Sequence, residues 1–122
     1  MAIRGDLLAW QWSNYASTHQ ARANLLIHIV AVPLFAVGLF CLIFGIVLAD
    51  WVPAVAGLAG GLVGFLAQGV GHGNEPERPV PFLGPADFVS RFLAEQFITF
   101  PRFVISGGWS VNLRGREPPR QA

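Results

Sequence analysis

The sequence contains few charged residues and only one cysteine. Charged side chains make up 12% of its 122 residues, whereas hydrophobic side chains make up 53%. This composition is far from that of an ordinary soluble domain. The formal net charge of +1 gives no support for nucleic-acid binding, which depends on a strongly basic surface. A single cysteine, Cys41, excludes a disulfide framework within the chain.

Two long apolar runs dominate the chain. The first extends from Asn24 to Ala49 without a charged residue, and the second extends from Trp51 to Gly71 with Gln68 as its one polar side chain. A helix needs about 20 mostly apolar residues to cross the hydrocarbon layer, and both runs are long enough. The pattern predicts an all-α membrane protein built on a two-span antiparallel helical hairpin, with spans at about 24–49 and 51–71.

The distribution of arginine predicts an orientation for this hairpin. All eight basic residues are arginine; two precede the first run and six follow the second, whereas the connecting turn carries only Asp50. Positive charge accumulates on the cytoplasmic side of membrane proteins. We therefore expect an integral, multi-pass protein with both termini in the cytoplasm, in the inner membrane if the source is bacterial.

Shorter helical patterns flank the hairpin. Residues 7–20 and 86–100 mix aromatic, aliphatic and polar side chains, and each segment is too short and too polar to span a bilayer. This is typical of amphipathic helices that lie at the membrane interface, and Pro101 is expected to end the second one. Residues 1–110 are predicted to form a single membrane-embedded helical domain, and residues 111–122 a polar, disordered tail.

The second run is unusually rich in glycine. Gly60 and Gly64 form a small-xxx-small pair, a spacing that lets two helices approach closely. We therefore predict tight helix packing along this face, which also allows a homodimer through the glycine-rich face of the second span.

The three histidines are predicted to meet at one end of the hairpin. His19 and His28 are nine residues apart, about 900° of helical rotation, so a straight helix would place them on opposite sides. A break in the chain is therefore expected between them, at Ala21 to Asn24, because asparagine is a good N-cap residue. In an antiparallel hairpin His72, at the end of the second run, then lies beside His28.

This convergence indicates a site rather than three isolated structural groups. Ionisable groups at hydrocarbon depth are costly and usually functional. Glu75 lies three residues after His72, close enough to bind the same ion or to orient a ring. The other polar groups expected at this level of the membrane are Tyr15, Asn24 and Gln68.

The spacing of these residues resembles a known family. The pattern Tyr15-x3-His19-x4-Asn24-x3-His28-x4-Pro33, followed by Gln68-x2-Gly71-His72 and Glu75, is similar to that of the fungal 2-hydroxy-fatty-acid dioxygenase family and its uncharacterised bacterial members. The resemblance covers roughly residues 10–106. It implies a small membrane protein with an Fe(II) centre, which uses O2 to shorten a 2-hydroxy fatty acid by one carbon during α-oxidation.

The resemblance also implies roles for individual residues. His19, His28 and His72 are the expected metal ligands, joined by Glu75. Tyr15, Asn24 and Gln68 are expected to assist catalysis by holding the histidine rings or orienting oxygen, and Arg22 or Arg78 to receive the substrate carboxylate. The expected partners are a membrane lipid or fatty acid and O2, with no nucleic acid.

Two alternatives remain open at the level of sequence. His28 and His72 on facing helices also suit the two axial ligands of a haem in a membrane electron carrier. A non-enzymatic membrane scaffold or adaptor is the other alternative, because histidines near helix ends also serve as structural groups.

Overall fold

The computed structural model describes residues 3–115, and this part of the chain is helical without any β-strand. A 3₁₀ turn at Ala16–Thr18 follows the first helix, and a π-helical turn at Glu95–Thr99 joins the fourth helix to the fifth. The six α-helices are α1 (Leu7–Tyr15), α2 (Arg22–Val47), α3 (Trp51–His72), α4 (Pro85–Ala94), α5 (Phe100–Ile105) and α6 (Gly108–Arg114).

Helices α2 and α3 are long and apolar enough to cross a membrane. Many of their large apolar side chains face outwards: Val30 and Val47 on α2 are 66% and 73% exposed, and Leu66 on α3 is 63% exposed. A contiguous exposed apolar surface of this kind is rare on soluble monomers and marks a surface that contacts lipid or another protein. The expected all-helical class with two candidate spans is confirmed.

The two long helices pack side by side through glycine. Gly45 contacts Ala54 near the connection, and Gly71 contacts Asn24 at the far end. A Cβ on Gly64 would lie 2.8 Å from the carbonyl oxygen of Ala31, so only glycine permits this approach. The glycine-rich face that was expected to allow a homodimer is therefore occupied by α2 of the same chain.

The break between the first two helices lies earlier than expected. Helix α2 begins at Arg22, with Ala21 extended before it, so the interruption covers His19 to Ala21. Asn24 does not cap the helix as predicted; it lies inside the first turn and is fully buried. The main-chain N–H groups before α2 are instead satisfied by a distant carboxylate, described below.

The C-terminal helical segment continues past Pro101, so the expected end at this proline is wrong. In the wide turn before it, the N–H of Phe100 donates to the carbonyl of Glu95, five residues earlier. Proline disrupts the regular bond to the residue four positions before it. A π-helical turn absorbs that disruption and lets the chain continue as α5.

The predicted disordered tail also begins too early. Residues up to Arg114 form α6, and its Trp109 and Leu113 pack against the core residues Tyr15 and Leu25. The remainder of the predicted tail, residues 116–122, lies outside the described residues.

We predict that Gly57→Ala destabilises the packing of α2 on α3. A Cβ there would overlap main-chain atoms of Gly38 and Leu42, which cannot move aside, and overpacking of this kind costs about 1–3 kcal/mol. The measurement is thermal unfolding in detergent. Gly60→Ala is the matched control, because its nearest neighbour is the Leu34 side chain at 3.5 Å. Equal melting temperatures for the two variants would contradict the prediction.

Candidate metal centre

Three histidine rings surround a common centre at one end of the α2–α3 pair. Their ring centroids are 4.8 Å (His19–His72), 5.0 Å (His19–His28) and 5.0 Å (His28–His72) apart, and the ring planes are 80–88° from one another. His19 and His28 are 3% and 0% exposed. Near-perpendicular rings do not stack, so the three pairs are in edge-to-face contact.

Each ligand candidate comes from a different structural context. His19 lies in the break between α1 and α2, His28 lies two turns into α2, and His72 is the last residue of α3. Glu95, the first residue of the π-helical turn, completes the group. One potential ligand atom from each of these four residues lies within 4.8 Å of the other three.

Two of the histidines have a defined tautomer. Nδ1 of His19 lies 2.8 Å from the carbonyl oxygen of Tyr15, and Nδ1 of His28 lies 3.0 Å from that of Asn24. A carbonyl oxygen can only accept, so both Nδ1 atoms carry the proton and both Nε2 atoms keep a lone pair when the rings are neutral. This is the second-nitrogen anchoring that metal-binding histidines commonly have.

One carboxylate oxygen of Glu95 lies close to both histidines and to the Tyr15 hydroxyl. Its Oε1 lies 3.2 Å from Nε2 of His19 and 3.3 Å from Nε2 of His28, and it accepts a 2.9 Å hydrogen bond from the Tyr15 hydroxyl. Burial raises the pKa of Glu95, but when the rings of His19 and His28 carry an added proton, their hydrogen bonds and charge outweigh burial and hold that pKa below its ordinary value. Burial and the adjacent Glu95 carboxylate raise the pKa of Tyr15 well above its ordinary value, so Tyr15 stays a donor.

The donor set fits a divalent metal ion. Nε2 of His28 and Nδ1 of His72 are buried and have no hydrogen-bond partner among residues 3–115. Lone pairs of neutral imidazoles facing an ionised carboxylate repel one another unless a cation or an added proton lies between them. Neutral imidazole and carboxylate are suitable ligands for iron and zinc; four such groups would complete a four-coordinate shell and would leave positions open on a six-coordinate ion.

Glu75 is not part of this cluster. Both oxygens of its carboxylate accept main-chain N–H groups of Gln20 and Ala21, and Glu95 supplies the carboxylate of the centre instead. The prediction of Glu75 as a ligand rested on its closeness in sequence to His72. The turn after α3 directs Glu75 to the break before α2.

The arginines expected to receive a substrate carboxylate are also placed elsewhere. Arg22 and Arg78 are exposed, and neither lines the cavity described below. Arg91 lines that cavity, but its guanidinium donates to Asp87 and to the carbonyl oxygens of Val80 and Pro81. It therefore fastens the loop before α4.

The three residues expected to assist catalysis take distinct positions. Tyr15 stacks on His19, with ring centroids 3.8 Å apart. Gln68 exchanges two hydrogen bonds, of 2.8 and 2.7 Å, with Gln96, which ties α3 to the π-helical turn. Asn24 anchors His28 through its main-chain carbonyl, while its side-chain amide is buried against Gly71 without a partner in the described chain.

Sequence reasoning missed Glu95 and Gln96. Asp87–Arg91 and Arg91–Glu95 both have i,i+4 spacing, which is typical of ion pairs on an amphipathic, interfacial helix. The Asp87–Arg91 pair forms, at 3.2 Å, whereas the side chain of Glu95 lies beside the histidines. The one available signal was the pair of polar residues Glu95 and Gln96, six and five residues before Pro101, in the turn that this proline distorts.

A cavity of about 330 Å³ opens onto the centre. His19, His72, Glu95 and Tyr15 contribute to its wall near the metal ligands. Aromatic and aliphatic side chains form much of the rest: Trp10, Phe65, Leu66, Phe82, Phe88 and Phe92. An apolar chamber with a few converging polar groups is the usual form of a small-molecule site.

The geometry does not favour a haem. The rings of His28 and His72 are 5.0 Å apart and nearly perpendicular, and the ring of His19 is equally close to both. Two axial ligands must lie on opposite faces of a porphyrin, which needs space between them that these three rings fill.

Fold and site together define an all-helical protein with two helices long enough to span a membrane and a buried cluster of three histidines and one glutamate. The chain belongs to the family described as 2-hydroxy-palmitic acid dioxygenase Mpo1-like, whose model matches residues 7–100. All four members of the cluster lie within this range. No curated protein and no solved structure matches the chain.

We predict that Glu95→Gln greatly weakens metal binding. The substitution keeps the shape of the side chain but removes the negative charge and places an amide beside the histidine nitrogens. The measurement is metal content of purified protein by elemental analysis. Glu77→Gln is the control, since Glu77 is an exposed glutamate. Full metal content in Glu95→Gln would exclude Glu95 as a ligand.

Proposed function

We propose that this protein is an Fe(II)-dependent, dioxygenase-like membrane enzyme that acts on 2-hydroxy fatty acids or a related lipid. The reaction shortens the acid by one carbon, and it balances as R–CH(OH)–COOH + O2 → R–COOH + CO2 + H2O. The family to which the chain belongs is named for this substrate class.

One observation carries the proposal: lone-pair donors from His19, His28, His72 and Glu95 meet in one cluster, and all of these residues except His28 line an apolar cavity. A structural metal site has its ligand positions filled and is closed to solvent. The four donors here would leave positions open on a six-coordinate ion such as Fe(II), beside a chamber of about 330 Å³. This arrangement supports a site where a small molecule reacts rather than a metal that only holds helices together.

The residues of the chain would prepare the site in three ways. The backbone carbonyls of Tyr15 and Asn24 keep two histidines in the tautomer that presents Nε2. The Tyr15 hydroxyl holds Glu95 in place, and the aromatic wall of the cavity excludes water and accepts an alkyl chain. When bound, Fe(II) supplies the redox chemistry by which O2 oxidises the 2-hydroxy acid.

We also propose that α2 and α3 span the membrane with both chain termini in the cytoplasm. The exposed apolar surface of the two helices supports burial in lipid, and the excess of arginine outside the α2–α3 connection supports this orientation. The metal cluster then lies near the cytoplasmic interface, where α1 and α4 flank the helix ends. A fatty acid in the inner leaflet has direct access to that level.

The test is metal analysis followed by O2 consumption. Protein purified anaerobically in detergent is expected to contain about one iron per chain without the absorption of a haem, and to consume O2 with 2-hydroxypalmitate. Palmitate without the hydroxyl group is the substrate control. His28→Ala is expected to lose both iron and O2 consumption, because its buried Nε2 is one of the four candidate ligand atoms and has no other partner in the described chain.

Other outcomes would identify the alternatives. A haem absorption band would support the electron carrier. Absence of metal after reconstitution with Fe(II), together with unchanged behaviour of His28→Ala, would overturn the proposal in favour of a scaffold. Iron without O2 consumption on any 2-hydroxy acid would overturn the substrate class.

We predict that Gly69→Phe reduces turnover of long-chain substrates while the iron content stays unchanged. Gly69 lines the cavity, and nothing lies within 4 Å of the position of its missing Cβ, so a large side chain there takes up space without disturbing the ligands. Rates with 2-hydroxy acids of increasing chain length measure the effect. Equal relative rates in the variant and the wild type would place the alkyl chain elsewhere.

A further inference from the structure

The segment that carries His19 has no regular structure of its own. Helix α1 ends in the 3₁₀ turn at Ala16–Thr18, and α2 begins only at Arg22. At such an interruption main-chain N–H and C=O groups lack their helical partners. The ring centroid of His19 lies 5.0 Å from that of His28 and 4.8 Å from that of His72. The side chains that bind the unpaired main-chain groups of this segment therefore also fix the position of the His19 ring.

The N–H groups of this segment are bound by one carboxylate. Gln20 and Ala21 both donate to the oxygens of Glu75, and the Ala21 N–H is 2.8 Å from each of them. Glu75 is 8% exposed, so these bonds to an ionised acceptor form in a largely water-free environment and are strong. The N–H of Glu75 in turn donates to the carbonyl of His72, at 3.1 Å. One residue thus links the turn after His72 to the segment after His19.

The C=O groups of the same segment are bound from the opposite end of the chain. Nδ2 of Asn112, on α6, donates to the carbonyl oxygens of Ala16 and His19, at 3.1 and 2.9 Å. Helix α6 is itself held by Trp109, whose indole N–H donates to the carbonyl of Leu25 at 2.9 Å. Asn112 lies beyond the part of the chain that matches the family model.

We propose that Glu75 and Asn112 are positioning residues for the metal centre, which act by fixing the main chain on both sides of His19. Neither residue touches the centre: the carboxylate of Glu75 is occupied by main-chain N–H groups, and the Asn112 amide by main-chain carbonyls. The inference rests on the proposed metal site, and it changes the role of Glu75 from ligand to support. Groups that orient metal ligands typically contribute 10–100-fold to metal affinity.

The test is titration with Co(II), a metal whose absorption reports the ligand geometry, on the full-length protein in detergent. Glu75→Gln removes the charge that binds the two N–H groups, and Asn112→Ala removes the amide. Both variants are expected to raise the Kd for Co(II) about 10–100-fold while still binding one ion at saturation. The controls are Glu77→Gln and Asn74→Ala, since both residues are exposed and the Asn74 amide contacts only the carbonyl of Val70. They are expected to bind as the wild type does.

The possible failures are distinguishable. Co(II) affinity equal to that of the controls, even with a lower melting temperature, would overturn the positioning role and leave a purely structural one. Complete loss of binding in Glu75→Gln with unchanged affinity in Asn112→Ala would make Glu75 a ligand, and this outcome would also overturn the positioning role. If Glu75→Gln does not fold, Asn112→Ala decides, because this partly exposed side chain can be removed with less disturbance. A wild-type protein that binds no metal would instead refute the proposed function.

Discussion

The structure depends on bringing four electron-pair donors together in a place that water hardly reaches. Three imidazoles and one carboxylate meet within 4.8 Å, and their lone pairs repel unless a positive charge lies among them. The protein holds these groups through many weak constraints rather than one strong interaction. The glycine contacts set the separation of α2 and α3, the π-helical turn directs Glu95, and the break before α2 directs His19. A cation at the centre would turn this repulsion into attraction, and its binding would then stabilise the fold.

The sequence predicts the long-range part of this arrangement well. Apolar runs of membrane-spanning length and the single turn between them are sufficient to place His28 and His72 at the same end, because antiparallel neighbours bring the start of one helix beside the end of the other. The rotation of about 900° between His19 and His28 requires a break in the helix if both rings are to meet. The spacing alone predicts this break, whichever residues form it. Length and periodicity therefore determine which histidines meet.

The local placement of each side chain at the helix ends is less predictable, because it depends on which main-chain groups lose their helical partners. Asparagine is a favoured N-cap residue, yet Asn24 does not cap α2, which starts at Arg22. The N–H groups before α2 are bound by Glu75, which is more than fifty residues further along the chain. Glu75 is near His72 in sequence but is directed away by the turn that follows α3. Glu95 is distant in sequence, but the wide turn before Pro101 directs it inwards. Nearby capping side chains and distant acceptors compete for the same main-chain N–H groups. Tertiary packing decides which of them binds, and patterns in a single sequence do not contain that information.

The same logic explains why irregular backbone gathers around the cluster. The 3₁₀ turn, the extended residues before α2 and the π-helical turn lie at the ligand-bearing ends of the helices, whereas the middle of α2 and α3 is regular. A regular helix presents side chains at fixed 100° steps, so one straight helix running through both His19 and His28 could not direct both rings to one point. The break before α2 leaves main-chain groups without helical partners, and Glu75 and Asn112 bind them. These polar side chains therefore compensate for the irregular backbone that the site needs. Their loss is expected to displace the histidine ligands more than it destabilises the fold.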